Sequence, residues 1–309
     1  CQDHSRKHSP YRLEMNRSAL GLTYGLLGGV SLSLGGPIVR LLSEDTNSWQ
    51  FLAWRSYAFM ILMFAIAIWR AKTLNAVAGE TRKIGHMLLP IACLVGFGQI
   101  CYVLGLIHTK VANVGFIIGA APVFTAFVAW IVLKERLKVS GTITLAAAII
   151  GIAIMFQDGL AGEGMLGNLF ALGAMVSYSL YVILLRYARD IDTFVASGFG
   201  GLIATATAAY LAGGDVQIPL PDLALAIASG TIQVGFGFAF LTLASKLIPA
   251  AQVTLLVLTE TVLGPLWVWL LINEVPTASA LIGGVVILAS VAAFAGFALA
   301  DERHQIRQR

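Results

Sequence analysis

GFGQICYVLGL, residues 96–106, and GFGFAFLTLAS, residues 235–245, align without a gap when the chain is slid against itself by 139 positions. The match runs on to Trp130 over Trp269 and Glu135 over Glu274, with nine of forty positions identical. Apolar composition alone yields a few identities, but a matched Trp and a matched Glu at one offset argue for an internal repeat. A second match lays VSLSL, residues 30–34, on VSYSL, residues 176–180. The chain around these stretches is 58% apolar and only 12% charged over 309 residues, with a mean hydropathy of +0.84. Soluble domains carry about 25% charged residues, so too little charge is present to coat a globule with polar groups. The composition describes a polytopic membrane protein.

Apolar windows bounded by Gly, Pro and charge give ten spans: 18–42, 49–70, 84–108, 112–133, 140–156, 165–187, 193–213, 222–246, 250–272 and 277–299. Most are close to the roughly 20 residues that a bilayer-crossing helix needs. Cations test the count. With the N-terminus inside, the inner connections carry Arg70, Lys72, Arg82, Lys83, Lys134, Arg136, Lys138, Arg186, Arg189 and Lys246, while the outer ones offer Lys110 alone. That alternation follows the positive-inside rule and places both ends in the cytoplasm; it is topological and implies no nucleic-acid partner. Each half then holds five helices, and an odd number makes the halves run in opposite senses. The first half's inner loop, KERLK from Lys134, has as its counterpart NEVPT from Asn273, which has lost every cation and faces out. The expected protein is an all-α membrane protein of ten transmembrane helices in two inverted five-helix repeats. Residues 1–17 form a cytoplasmic tail, 18–156 the first repeat, 165–299 the second and 300–309 a second cytoplasmic tail. The first fourteen residues lack the apolar core of a signal peptide and read as part of the tail, with Met15 a candidate natural start. Inverted repeats around a midplane site are the architecture of secondary transporters, although channels and membrane enzymes also contain repeats.

PVFTAFVAWIVLKERL, residues 122–137, and LTETVLGPLWVWLLINEVP, residues 258–276, resemble the EamA group of the drug/metabolite transporter superfamily. The resemblance covers residues 16–299 and implies a ten-helix carrier. It departs from the family pattern at Lys134 and Asn273, where a Gly is common, and at Thr261, where a Pro often follows the Glu. The run TETVLGPLWVW, residues 259–269, is similar to that of bacterial amino-acid exporters, aromatic amino acids included. This implies export of amino acids across the bacterial inner membrane.

Glu260 stands about ten residues from either end of the ninth span. A midplane carboxylate is costly unless it is neutralised, paired or hydrated, so it is a functional candidate by default. It falls on the acidic position of the resembled motif, whereas the first repeat has Ala121 there. It would contact a substrate ammonium or take up a proton; the bland alternative is a packing carboxylate held by hydroxyls such as Thr259. Gln99, Tyr102, Gln233, Ser33, Ser177 and Tyr178 lie at similar depth. Aromatic walls with a few polar groups suit a zwitterion bearing an apolar side chain, although a lone Gln or Tyr also serves as interhelical glue. Arg55, six or seven residues into the second span, is read as an anchoring or packing residue able to snorkel to the headgroups, in preference to binding a substrate carboxylate, and Arg40 as interfacial. Pro122 and Pro265 each remove a donor inside a span and are candidate gating hinges, or packing features. Gly21, Gly25 and Gly29 form a small-residue stripe for helix packing.

Neither H-E-x-x-H, G-x-S-x-G nor G-x-x-x-x-G-K-[ST] occurs in the chain, so no enzyme, cofactor or ATP-driven activity is expected. Cys1, Cys93 and Cys101, with the five histidines, suggest neither a disulfide framework nor a metal site. Expected partners are an amino-acid substrate and the bilayer, with protons a candidate coupling ion and a monomer the favoured state. The alternatives are an exporter of another metabolite or drug-like cation, and a substrate-selective pore.

Overall fold

The computed structural model describes residues 10–133, 139–160, 164–187, 193–247 and 250–307. The first nine residues, the KERLK loop with Glu135, and Arg189 lie outside the described residues. Every regular element among them is helical, as lipid demands: a backbone without water must satisfy its own donors and acceptors.

The helices are α1 (Pro10–Ser33), α2 (Gly35–Arg40), α3 (Ser48–Ala71), α4 (Leu74–Ile84), α5 (Leu88–His108), α6 (Val111–Gly119), α7 (Ala121–Leu133), α8 (Val139–Leu160), α9 (Met165–Tyr187), α10 (Phe194–Leu211), α11 (Leu220–Ala228), α12 (Val234–Ser245), α13 (Ala250–Ile272) and α14 (Ala278–Arg307). Among the described residues, seven helical stretches are long and apolar enough to cross a membrane: Ala19–Arg40, Ser48–Ala71, Thr81–His108, Val111–Val128, Met165–Leu184, Phe194–Leu211 and Leu220–Ser245. Thr142–Ile154, Leu256–Ile272 and Ala278–Phe294 are shorter apolar helices. Helix extends into both expected tails, starting at Pro10 and running on to Arg307.

Three stretches expected to be continuous are interrupted. The first breaks at Leu34, ahead of the Gly35-Gly36-Pro37 run. The fourth breaks at Ala120, whose N–H bonds Ile117 O at 3.1 Å. Pro122 therefore occupies the first turn of α7, where its missing N–H is one of the unbonded donors of any helix start. The sequence placed Pro122 inside a continuous helix; the break makes it part of a helix N-terminus instead. Pro265 does lie inside a helix, α13. The eighth stretch carries a π turn over Ser229–Gln233 between α11 and α12, an irregularity frequent at functional sites.

Glycines set the closest helix contacts. A Cβ on Gly25 or Gly29 of α1 would run into Leu256 and Thr259 of α13, so the expected small-residue stripe does pack there. A Cβ on Gly230 would meet the Arg55 carbonyl oxygen at 2.1 Å, so α3 and the π turn approach at backbone distance. The principal packings are α3 on α10, α5 on α9 and α10, α1 on α12 and α13, and α8 on α14.

At one end of the bundle, Arg40 joins three segments. Its Nε donates to Glu274 Oε2 at 2.5 Å, its Nη1 to Leu106 O at 2.6 Å and its Nη2 to Thr109 O at 2.8 Å. The other Glu274 oxygen accepts the Val111 N–H at 2.9 Å, and Lys110 Nζ donates to Val275 O at 2.8 Å. The expected interfacial arginine is thus a clasp between the two halves of the chain. Arg40→Ala is predicted to cost about 2 kcal/mol, the scale of charge-assisted hydrogen bonds. Unfolding in mixed micelles checks this: Arg40→Ala with Glu274→Ala together should cost less than the two single losses added.

Candidate functional site

A cavity with an empty volume of about 660 Å³, its open mouth included, lies among α1, α3, α5, α6, α9, the π turn, α12 and α13. Its charged and amide groups are Arg55, Glu260, Gln99 and Gln233; its rings are Tyr102, Tyr178, Tyr181 and Phe238.

Arg55 is 2% exposed although it stands only two turns into α3. The anchor reading is therefore overturned: the side chain turns inward. Its Nε donates to Ser229 Oγ at 3.1 Å, its Nη1 to Gln99 Oε1 at 3.1 Å and its Nη2 to Gln233 Oε1 at 3.3 Å, and its guanidinium lies 5.7 Å from the centre of the Tyr102 ring. The π turn supplies both Ser229 and Gln233, and Gly230 between them lets α3 come close enough to be reached. Among the described residues Arg55 has no carboxylate in ion-pair contact.

Gln233 Nε2 donates to Leu32 O at 3.2 Å, which ties the π turn to α1. Gln99 Oε1 also accepts from Ser56 Oγ at 3.4 Å, but Gln99 Nε2 is buried with no partner among the described residues. An unpaired buried donor costs about 1–3 kcal/mol, so it calls for an explanation. Glu260 stands midway along α13 with the Tyr102 hydroxyl beside its carboxylate. Tyr102 thus neighbours both charged groups, its ring the guanidinium and its hydroxyl the acid.

Of the residues proposed from sequence, Gln99, Tyr102, Tyr178, Gln233 and Glu260 are thus brought to one cavity. Ser33 and Ser177 stand behind its wall. Ser33 Oγ donates to Val30 O at 2.7 Å and accepts from Trp267 Nε1 at 3.1 Å, while Ser177 packs against Gly98. Arg55 reads from sequence as an anchoring or packing residue in preference to a carboxylate ligand, and Tyr181, Ser229 and Phe238 were missed. A signal for Phe238 was present: the sequence offsets that align the repeats superpose Gln99 on Phe238, Val95 on Val234, Ile118 on Val257 and Leu32 on Tyr178, and all eight line this cavity.

The EamA-like transporter family matches the chain twice, over residues 19–157 and 165–295. The chain belongs to this family. As an EamA-like transporter it is a multi-pass membrane protein with a small-molecule substrate. It is 22% identical over 240 residues to an uncharacterized transporter of Methanothermobacter thermautotrophicus, covering 72% of this chain and 70% of that protein. It is 24% identical over 178 residues to the uncharacterized transporter YyaM of Bacillus subtilis, over 55% of each. Human solute carrier family 35 member G1 is 23% identical over 289 residues, 88% of this chain and 77% of that protein. One crystal structure covers 91% of this chain and 97% of its own with a TM-score of 0.61 at 19% identity, a likeness of fold alone. Each family match ends within or just after a helix that flanks the cavity or packs behind it, and the EamA-like transporter's cavity draws residues from both matched segments.

Proposed function

We propose that this EamA-like transporter exports amino acids, aromatic and other apolar ones favoured, with related small metabolites, across the bacterial inner membrane by alternating access. The observation that carries this reading is the cavity itself, in which Glu260 faces the walls formed by Tyr102, Tyr178, Tyr181 and Phe238. The acid suits an ammonium and the rings suit an apolar side chain. A drug-like cation is the weaker candidate because buried Arg55 lines the same cavity.

The proposed architecture is ten spans in two inverted five-helix halves, with both termini cytoplasmic and the protein acting as a monomer. Helix packing supports it. Exchanging each helix of one half for its counterpart in the other turns the α5–α9 packing into α12–α1, and α1–α13 into α9 against α6 and α7. The α3–α10 and α8–α14 packings map onto themselves. In this scheme the Arg40–Glu274 clasp holds one end closed and must break when that end opens. Gradients of substrate or of protons, carried by Glu260, would supply the energy.

Counterflow tests the reading. Liposomes containing the purified protein and unlabelled tryptophan, phenylalanine, leucine or threonine should accumulate the labelled amino acid above protein-free vesicles. Trans-stimulation identifies a carrier, whereas flux linear in concentration would indicate a pore. Folded protein that shows no counterflow with any of the four would sink the amino-acid assignment.

A further inference from the structure

We infer that Arg55 and Gln99 form a subsite for the substrate's carboxylate, so that the carrier selects for an anionic group at one end of its ligand. This rests on the amino-acid reading only in assuming that the cavity is where substrate binds. A guanidinium has five N–H donors. Three of those on Arg55 are spent on neutral oxygens, those of Ser229, Gln99 and Gln233, which leaves one N–H on each terminal nitrogen unspent among the described residues. Both glutamines turn their oxygens toward Arg55, and this fixes where their amide nitrogens point. Gln233 Nε2 finds Leu32 O, but Gln99 Nε2 finds no partner among the described residues.

The cluster therefore ends in an excess of donors around a positive charge that has no carboxylate in ion-pair contact among the described residues. Acceptors within it are already engaged, and the Glu260 carboxylate, beside the Tyr102 hydroxyl, acts on Arg55 through space without contact. An arginine fork with an adjacent amide N–H matches the flat, two-oxygen shape of a carboxylate. An ammonium would meet only donors there. The same reasoning explains why an unpaired amide and an arginine without an acid persist in a buried site: the missing partner arrives with the ligand.

Three probes of one size separate the two ends: 3-phenylpropionate has only the carboxylate, 2-phenylethylamine only the ammonium, and L-phenylalanine has both. Ligand-induced thermal stabilisation of the detergent-solubilised protein reads binding directly. Wild-type protein should bind 3-phenylpropionate, and binding of 2-phenylethylamine, whose ammonium meets Glu260, should stay within about twofold when Gln99 is changed. Gln99→Met, which keeps the length and removes the N–H, should weaken 3-phenylpropionate by about tenfold. Gln99→Glu places an acid against Arg55 and should weaken 3-phenylpropionate further. Binding of 3-phenylpropionate to wild-type protein needs no variant to fold, and Gln99→Met is read only at an unliganded melting midpoint equal to wild type.

No binding of 3-phenylpropionate by wild-type protein, a Gln99→Met loss shared equally by 2-phenylethylamine, or a folded Gln99→Met with unchanged affinity for 3-phenylpropionate would each overturn the subsite. The outcomes are separable from those of counterflow. Phenylalanine counterflow with 3-phenylpropionate affinity indifferent to Gln99→Met removes the subsite and leaves the amino-acid reading. Gln99-dependent binding of 3-phenylpropionate without amino-acid counterflow does the reverse.

Discussion

Proteoliposomes carrying Glu260→Gln should move phenylalanine at no more than about a tenth of the wild-type rate, the effect expected when one partner of a buried charge contact is removed. Glu260 is an acid midway along α13 that lines the same cavity as Arg55, with the Tyr102 hydroxyl beside it. Glutamine preserves the shape and one acceptor oxygen, so the hydrogen bond to Tyr102 survives and the charge alone is lost. The loss should depend on the ligand. Phenylalanine, whose ammonium meets Glu260 in the proposed pose, should suffer, while binding of 3-phenylpropionate should stay within about twofold, since it presents no cation. If Glu260 also carries the coupled proton, the variant's rate should lose its dependence on pH, because glutamine does not titrate. Equal rates for wild type and variant across pH, in protein of equal melting midpoint, would remove Glu260 from both roles.

The depth of these polar residues in their spans was enough to find much of the cavity. Gln99, Tyr102, Tyr178 and Glu260 each stand near the middle of a helix, and depth reads directly from sequence once the spans are drawn. Depth also misled at Arg55. Two turns into α3, a long side chain can reach either the headgroups or the interior, and the difference lies in what faces it. Here the facing element is a π turn, which no hydropathy window reveals, made approachable by Gly230. Ser33 and Ser177 failed for a related reason: equal depth does not fix the direction of a side chain around its helix, and both point into packing. The breaks at Leu34 and Ala120 were partly written in the chain. Gly35-Gly36-Pro37 and Gly119 before Pro122 are turn-compatible runs, but in an apolar stretch they read equally as small packing residues. The internal repeat carried more than topology. Its equivalences pair four lining residues of one half with four of the other, so the alignment carried positions, Phe238 among them, that polarity alone did not mark.

Gly230→Ala is the substitution expected to damage the fold most for the fewest atoms added. An added Cβ would stand 2.1 Å from the Arg55 carbonyl oxygen and 2.8 Å from Ala58 Cβ. A side-chain tip could swing aside, but the closest atom is backbone inside α3, so either α3 or the π turn has to move bodily. Overpacking a close contact costs about 1–3 kcal/mol and occasionally more, and here the upper end applies because no rotamer relieves the clash. The displacement also reaches the site. Ser229 and Gln233 flank Gly230 in the same turn and hold Arg55 at 3.1 and 3.3 Å, so moving the turn outward loosens both bonds. The variant should therefore lower the unfolding midpoint and weaken 3-phenylpropionate binding together. Gly296→Ala is the matched control, since a Cβ there has nothing within 4 Å, and it should leave both measurements unchanged. A Gly230→Ala protein that unfolds and binds like wild type would show that the backbone approach of α3 to the π turn is not what delivers Arg55 to the cavity.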